Sequence, residues 1–388
     1  MTLIHTGQAL TRSALTAELG VTRATIGAIT GELRDLGLIE VDAGPGGGQQ
    51  GRPSHRLQPD PAGPVALAVQ VHPDGFGVAL VGLGGAVVAR QAEYGLVPAD
   101  PAPALARVAE AAAWLLRTSG RRCVGAAVAV PTAVTTPGGR AVRALYVGWP
   151  DGAPVRDLFA AALARHGVHG PGGGAAACAA VNDVNAIALA EHRHGAGRDA
   201  THLLVVAAEH RGVGGALVLG GTLYTGGTGL AMEAGHVTVD RDGLPCVCGN
   251  RGCLNVETDV ERFFSLVGRA PSPDEPLLRQ AGALLRAGYL ADERVRGAAD
   301  AIADRLGLGL AGLINVVNPD RVLLGGMHGH LLAAAPDRLR AAVAAGSPWG
   351  SGAAIPVRSC ALDDGGLIGA AEVAWQPVLD DPALLRAR

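Results

Sequence analysis

Three cysteines, Cys246, Cys248 and Cys253, fall within eight positions in the run C-V-C-G-N-R-G-C. Gly249 and Gly252 let the backbone turn tightly there, so the three thiols converge on one small volume. In a chain of 388 residues with six cysteines, this crowding is no disulfide framework; soft donors at such spacing point to a metal. A closed zinc tetrahedron takes four nitrogen or sulfur ligands, and His236 in E-A-G-H is the nearest sensible fourth. The alternative, three reduced cysteines that happen to lie close, sits poorly with thiols at this density beside paired glycines. With four protein ligands no coordination position stays open, so the zinc is expected to be structural and not to activate water.

The rest of the chain is long enough for two or three domains. Its composition, 48% hydrophobic and 17% charged, is that of a globular protein. There is no lysine, which excludes Schiff-base and P-loop lysine chemistry. A net charge of −3 carries neither the basic balance of a general nucleic-acid binder nor an acidic tail. No signal-like start and no run of about 18 apolar residues is present, so a cytoplasmic location without membrane contact is expected.

Residues 10 to 42 differ in texture from the remainder of the chain. Thr11 is placed to cap a helix carrying Ala14, Leu15 and Leu19 inward, Gly20 and Val21 break the pattern, and Thr22 caps the next helix. There Ile26, Ile29, Leu33 and Leu36 recur at helical spacing, leaving Arg23, Thr25 and Ala28 outward. A strand from Leu38, a glycine-rich tip from Gly44 to Gly51 and a return strand from Arg52 to Leu57 then form a wing. The stretch Pro59 to Pro64 reads as the end of this first domain. Beyond it, strands at Val65 to Val71, Phe76 to Gly82 and Cys123 to Val130 alternate with a helix at Ala102 to Arg117. The texture repeats after Asn182, with strands at His202 to Ala207, Gly215 to Leu219 and Arg321 to Leu324 and a helix at Asp300 to Val317. Two α/β lobes are implied. Gly172 to Gly174 and Pro271 to Pro276 read as surface connections.

Glu233-Ala-Gly-His236, the C-x-C-G-x-x-G-C run after it, Asn182-Asp183 before a helix and Gly51-Arg52-Pro53 closing the wing together resemble the ROK family of repressors, open reading frames and sugar kinases. Within it the chain is most similar to the xylose-repressor-like regulators. The resemblance spans essentially the whole chain. It implies a winged helix-turn-helix over 1–58 and an actin-like, ribonuclease-H-like body. The body's first lobe would be 64–181 plus 363–388, and its second, with the zinc loop, 182–362. It also implies a sugar in the cleft, contacted by Asn182, Asp183, Glu233 and His236, with His236 serving zinc through its other ring nitrogen. Taken alone, Asn182-Asp183 would be an N-cap and Glu233 a surface carboxylate.

Several departures separate the chain from the family's kinases. Where their D-x-G-G-T loop wraps ATP phosphate, this chain reads Val69-Gln70-Val71-His72-Pro73-Asp74-Gly75, without the leading Asp and with one glycine. The second phosphate motif, G-T-G-x-G-x-G, becomes His210-Arg211-Gly212-Val213-Gly214-Gly215-Ala216. Asp183 matches the kinase general base, but without a positioned phosphoryl donor it is expected only to hold a hydroxyl. The G-C-L-E glutamate is Asn255 here, also assigned to the sugar, with Glu257 two positions on. Gly325-Gly326 and Asp364 to Ala370 match later backbone motifs and are read as structural.

At the DNA end, Thr22, Arg23 and Thr25 are expected near bases or phosphates and Arg52 near the backbone. Through residue 60, Arg12, Arg23, Arg34, Arg52 and Arg56 face Glu18, Glu32, Asp35, Glu40, Asp42 and Asp60, so non-specific affinity should be weak. Regulators of this family carry a full helix before the one at Thr11. Only Met1 to Ala9 stand there, so that helix is abbreviated or the true start lies upstream. The function expected is a sugar-responsive transcription regulator, a repressor working as a homodimer or higher homo-oligomer on a DNA operator, with structural zinc and no kinase activity. The alternatives are an ATP-dependent, glucokinase-like sugar kinase, and a zinc-stabilised sugar sensor acting through protein partners.

Overall fold

The computed structural model describes residues 1–42, 55–273, 275–348 and 355–386. The amino-terminal segment forms helices α1 (Thr2–His5), α2 (Arg12–Leu19) and α3 (Arg23–Asp35), then an antiparallel pair, β1 (Ile39–Asp42) and β2 (Arg56–Pro59). Both expected caps are made: Thr11 Oγ1 accepts from the Ala14 N–H at 3.0 Å, and Thr22 Oγ1 from the Thr25 N–H at 3.2 Å. The inward face differs from the one the spacing predicts. Leu15, Ile26 and Leu33 are buried, whereas Leu19 and Ile29 are 51% and 42% exposed. On α3 the buried row runs Ile26, Thr30, Leu33. Thr30 is accommodated there because its hydroxyl donates to Ile26 O at 2.8 Å and accepts from Arg12 Nε at 2.9 Å. Strand β2 extends to Pro59, which an edge strand tolerates. The expected wing tip, Gly44 to Gly51, and Arg52 with the Gly51-Arg52-Pro53 tripeptide lie outside the described residues.

The first larger sheet opens with the meander β3 (Val65–His72), β4 (Gly75–Gly82) and β5 (Val87–Tyr94). After α4 (Pro101–Ser119) come β6 (Cys123–Val130), the short pair β7 (Ala133–Val134) and β8 (Ala141–Val142), α5 (Val155–Arg165) and β9 (Cys178–Asn182). The strand order is β5-β4-β3-β6-β9, with β6 parallel to β3 and β9 parallel to β6. Along β3, Val65, Leu67, Val69 and Val71 pack towards α4 and α5, while Ala66 and Ala68 face the other side. Every residue of β6 is buried, as a parallel strand covered on both faces requires.

Helix α6 (Asp183–His194) leads to the second sheet, where the pattern repeats. Its meander is β10 (Leu203–Ala208), β11 (Val213–Leu219) and β12 (Thr222–Leu223). Helices α7 (Leu254–Thr258), α8 (Val260–Val267), α9 (Leu277–Gly288) and α10 (Glu293–Val317) precede β13 (Arg321–Gly325). Next come α11 (Gly326–Ala334), α12 (Pro336–Gly346) and β14 (Val357–Ser359), giving the order β12-β11-β10-β13-β14. Two lobes, each a hairpin meander extended by parallel strands, make the actin-like, ribonuclease-H-like architecture.

The stretch after Asp364, read from the sequence as structural, opens a long helix, α13 (Gly365–Asp380), which returns to the first sheet. A methyl group on Gly369 would stand 1.7 Å from Ala186 O, so α13 crosses α6 at a separation only glycine permits. Trp375, fully buried, donates its indole N–H to Val81 O at 3.0 Å. The same cluster holds Ile4, Leu15, Ile26, Leu33 and Leu57, so the amino-terminal helices share one core with α13. Among the described residues no helix is long and apolar enough to cross a membrane.

Candidate functional site

Between the lobes lies a cavity of about 290 Å³, walled by the start of α6, the β10–β11 hairpin, the turn at Glu233 to His236 and Asn255 on α7. The parallel strand β9 delivers Asn182 and Asp183 to this wall at its carboxyl end. Asn182 caps α6, accepting from the Asn185 N–H at 3.0 Å, and its amide donates to Thr132 O and Asp183 Oδ1, each at 3.1 Å. Asp183 Oδ1 also accepts from the Val184 N–H at 2.8 Å, and its hydrogen bonds fall on that oxygen. Burial, followed by the neighbouring Glu209 carboxylate, pushes Asp183 up to about pKa 7.

Sequence reasoning missed Glu209. It follows directly on β10, lines the cavity, and has no hydrogen-bonding or ion-pairing partner among the described residues. Burial pushes it, too, up to about 7. The available signal was an acid closing the apolar run Leu203 to Ala208. Glu233 and His236 stand on the same wall, Glu233 exposed. Asn255 is almost fully buried; its oxygen accepts from the Val213 N–H at 2.6 Å and its amide donates to the Tyr146 hydroxyl. Asn255 therefore fixes the β10–β11 hairpin from the cavity wall, with its second N–H and second lone pair not used by these two bonds. Glu257 points elsewhere: its Oε1 accepts from the Leu244 N–H at 2.7 Å and braces the cysteine loop.

His236, Cys246, Cys248 and Cys253 bring their ligand atoms within 4.8 Å of one another. Cys246 Sγ lies 3.7 Å from His236 Nδ1, and Cys248 Sγ 3.7 Å from Cys253 Sγ. A zinc tetrahedron with arms of about 2.3 Å has edges of about 3.7 Å, so the donor set and its spacing fit that ion. Gly252 is needed in this loop, because its φ is +61° and a methyl there would meet Asp240 O at 1.5 Å. Arg143 donates to Cys248 O at 3.1 Å, joining the loop to the cavity wall of the first lobe.

The two expected phosphate loops meet beside this cavity. His72 pairs with Gly75 across a two-residue turn, too short to wrap an anion. Its imidazole stacks on His210 from the second lobe, ring centroids 3.7 Å apart and planes within 5°. Burial, and His210 next to it, push His72 down to about 3; burial also lowers His210. Both rings are thus neutral at physiological pH. Arg211 lies 3.7 Å from both Asp74 and Glu261, so its charge is shared between acids.

The model of the family described as ROK matches residues 69–376. The chain belongs to the ROK family. A ROK family transcriptional regulator described as a homologue of the Escherichia coli MLC protein has the same fold, with TM-score 0.75 and 22% identity, over 99% of this chain and 95% of that one. A ROK family glucokinase from Streptomyces griseus, in complex with glucose and AMPPNP, superposes with TM-score 0.67 and 22% identity over 80% of this chain and 99% of its own. In sequence, a putative xylose repressor from Caldicellulosiruptor is 38% identical over 37% of this chain and 38% of its own length. A glucokinase from Thermotoga maritima is 36% identical over 37% and 49%. The regulator NagC of Escherichia coli is 30% identical over 38% of each chain. The chain thus aligns with less than half the length of each of these curated relatives.

Ahead of the ROK match, α2 and α3 form a helix-turn-helix, with Thr22, Arg23 and Thr25 exposed at the start of α3. The Thr22 and Thr25 hydroxyls bond to each other at 2.9 Å, which leaves Arg23 the free cation of that turn among the described residues.

Proposed function

We propose that this chain is a sugar-responsive DNA-binding regulator, acting as a repressor, in which a kinase-like ROK body senses ligand without phosphorylating it. The observation that carries this reading is the stacked His72–His210 pair, two neutral rings filling the place where a kinase needs phosphate-binding backbone. In this reading sugar hydroxyls donate to Asp183, Glu209 and Glu233, and the far nitrogen of His236 faces the same ligand. Asn182 and Asn255 hold the walls in place. Zinc, bound by His236, Cys246, Cys248 and Cys253, supplies structural cross-linking only. Thr22, Arg23, Thr25 and Arg52 contact the operator, and two copies present two such heads to paired half-sites.

The test is selection of bound genomic fragments by the purified protein, at fixed salt, with and without xylose, glucose and N-acetylglucosamine. These are the sugars in the relatives' names. Enrichment of a palindromic site whose occupancy falls with one sugar is the expected result. No enrichment removes the regulator reading. ATP-dependent phosphorylation of any of the three sugars, abolished in Asp183→Ala, replaces it with the kinase reading, which the surviving Asp183 and the glucokinase relatives favour.

A further inference from the structure

A second cluster of charged side chains lies at the opposite end of α6 from the cavity. Glu372 of α13 is 1% exposed, and its carboxylate collects three partners. Oε2 receives His5 Nε2 at 2.8 Å and Arg193 Nη1 at 2.6 Å, and Oε1 receives His194 Nε2 at 2.9 Å. His5 belongs to α1, and Arg193 and His194 form the last turn of α6. Arg193 also reaches Gln376 Oε1 at 2.6 Å, and Arg198 just beyond holds Thr6 O at 3.0 Å.

His5, His194 and Glu372 have the make-up of a metal site, but the protonation pattern favours a hydrogen-bonded junction. The Gly84 N–H donates to His5 Nδ1 at 2.9 Å, so the proton of a neutral His5 sits on Nε2 and points at Glu372. A guanidinium on the same carboxylate further disfavours a cation. Burial opposes the charge on Glu372, yet the hydrogen bonds from His194 and His5 hold its carboxyl well below the usual range.

The geometry is that of a rod anchored at both ends. Twelve residues of α6 span about 17 Å, with Asp183 in the cavity at one end and Arg193 and His194 at the other. We propose that Glu372 is the positioning residue through which a change at the Asp183 end of α6 reaches α1 and so the helix-turn-helix. This rests on the regulator reading for its purpose, but not for its test. A shift of α6 along or about its axis displaces Arg193 and His194 on the Glu372 carboxylate, and His5, bonded to the same carboxylate, is pulled between it and the Gly84 N–H.

The experiment is hydrogen exchange on the full chain, reading protection of residues 1–9 in a double-mutant cycle. Asp183→Asn, more than a helix length away, is expected to change that protection by more than about threefold, beyond what independent distant sites give. In the Glu372→Gln background the same substitution is expected to change it hardly at all. His5→Leu, which leaves Glu372 paired with Arg193 and His194, is the second background, for use if Glu372→Gln does not fold. A purely structural junction would lower the melting temperature in both backgrounds while leaving the Asp183→Asn effect intact. That additive result, or no effect of Asp183→Asn on residues 1–9, overturns the proposal. A parallel arm adds glucose, xylose and N-acetylglucosamine to the unsubstituted chain. Silence there, with coupling present in the cycle, counts against the sugar reading and leaves the relay standing.

Discussion

Replacing Cys253 with serine should empty the metal site and melt its loop while leaving the lobe around it folded. The loop from Val237 to Cys253 is held by about a dozen hydrogen bonds, many of them closing local turns. The clearest are Cys246 N–H to Asn250 O at 2.8 Å, Val239 N–H to Gly252 O at 2.8 Å and Leu244 N–H to Glu257 at 2.7 Å. At about 1 kcal/mol net each, these bonds fall short of the cost of ordering more than a dozen residues, about 1–2 kcal/mol apiece for the backbone and more for side chains. A structural zinc contributes about 10 kcal/mol of apparent binding energy, enough to reverse that balance. The loop enters the lobe core through Val239, while most of that core, Leu204, Val206 and Leu324 among it, is buried on the sheet and under the helices and does not depend on the loop. Elemental analysis with hydrogen exchange checks this. Stoichiometric zinc in the parent chain, lost in Cys253→Ser, should go with loss of protection over residues 238–253 and its retention in β10 and β13. A loop that keeps its protection after a chelator has stripped the metal would refute the reasoning.

Asp183 carries a pH signature. Its folded-state pKa of about 7 lies above its unfolded value, so between those limits the folded chain holds a proton the unfolded chain has released, and stability falls as pH rises. Urea unfolding should find Asp183→Asn stabilising by on the order of 2 kcal/mol at pH 8 and by much less at pH 5; a constant difference would count against a buried, raised carboxyl. Thr22→Ala removes the α3 cap and should cost about 1 kcal/mol by the same measurement, with weaker operator binding. Gly369→Ala forces α13 off α6 and should destabilise by at least about 3 kcal/mol, visible as loss of soluble full-length protein; a near-neutral result would mean the two helices can move apart cheaply.

Much of this was legible in the residues because it depends on local chemistry. Thr11 and Thr22 cap their helices as hydroxyls before helical runs do, and β6 occupies the apolar run Cys123 to Val130. The four candidate metal ligands converge because spacing alone brings three of them together. What escaped depends on partners distant in sequence. Ile29 has the right spacing to be buried, but Thr30 takes the inward place through a bond to Arg12. Asn255 lines the cavity, but its bonds to Val213 and Tyr146, which brace the hairpin, could not be read from its neighbours in sequence. Nothing in the glycines after Asp364 reveals that they open a helix or that Ala186 will stand against Gly369. Glu209 was passed over because an acid after a strand is ordinary until the turn at Gly325 and Gly326, distant in sequence, is seen to stand against it.

The core shared by α13 and the amino-terminal helices has a bearing on the chain's birth. Ile4, Leu15, Ile26 and Leu33 are synthesised long before Trp375, Val378 and Leu379, against which they pack. Domains ordinarily fold as they are synthesised, amino-terminal units first. Here the head that would meet DNA lacks one wall of its core until α13 has been made, so chains that stop short of α13 would hold that head poorly and be weak competitors for an operator.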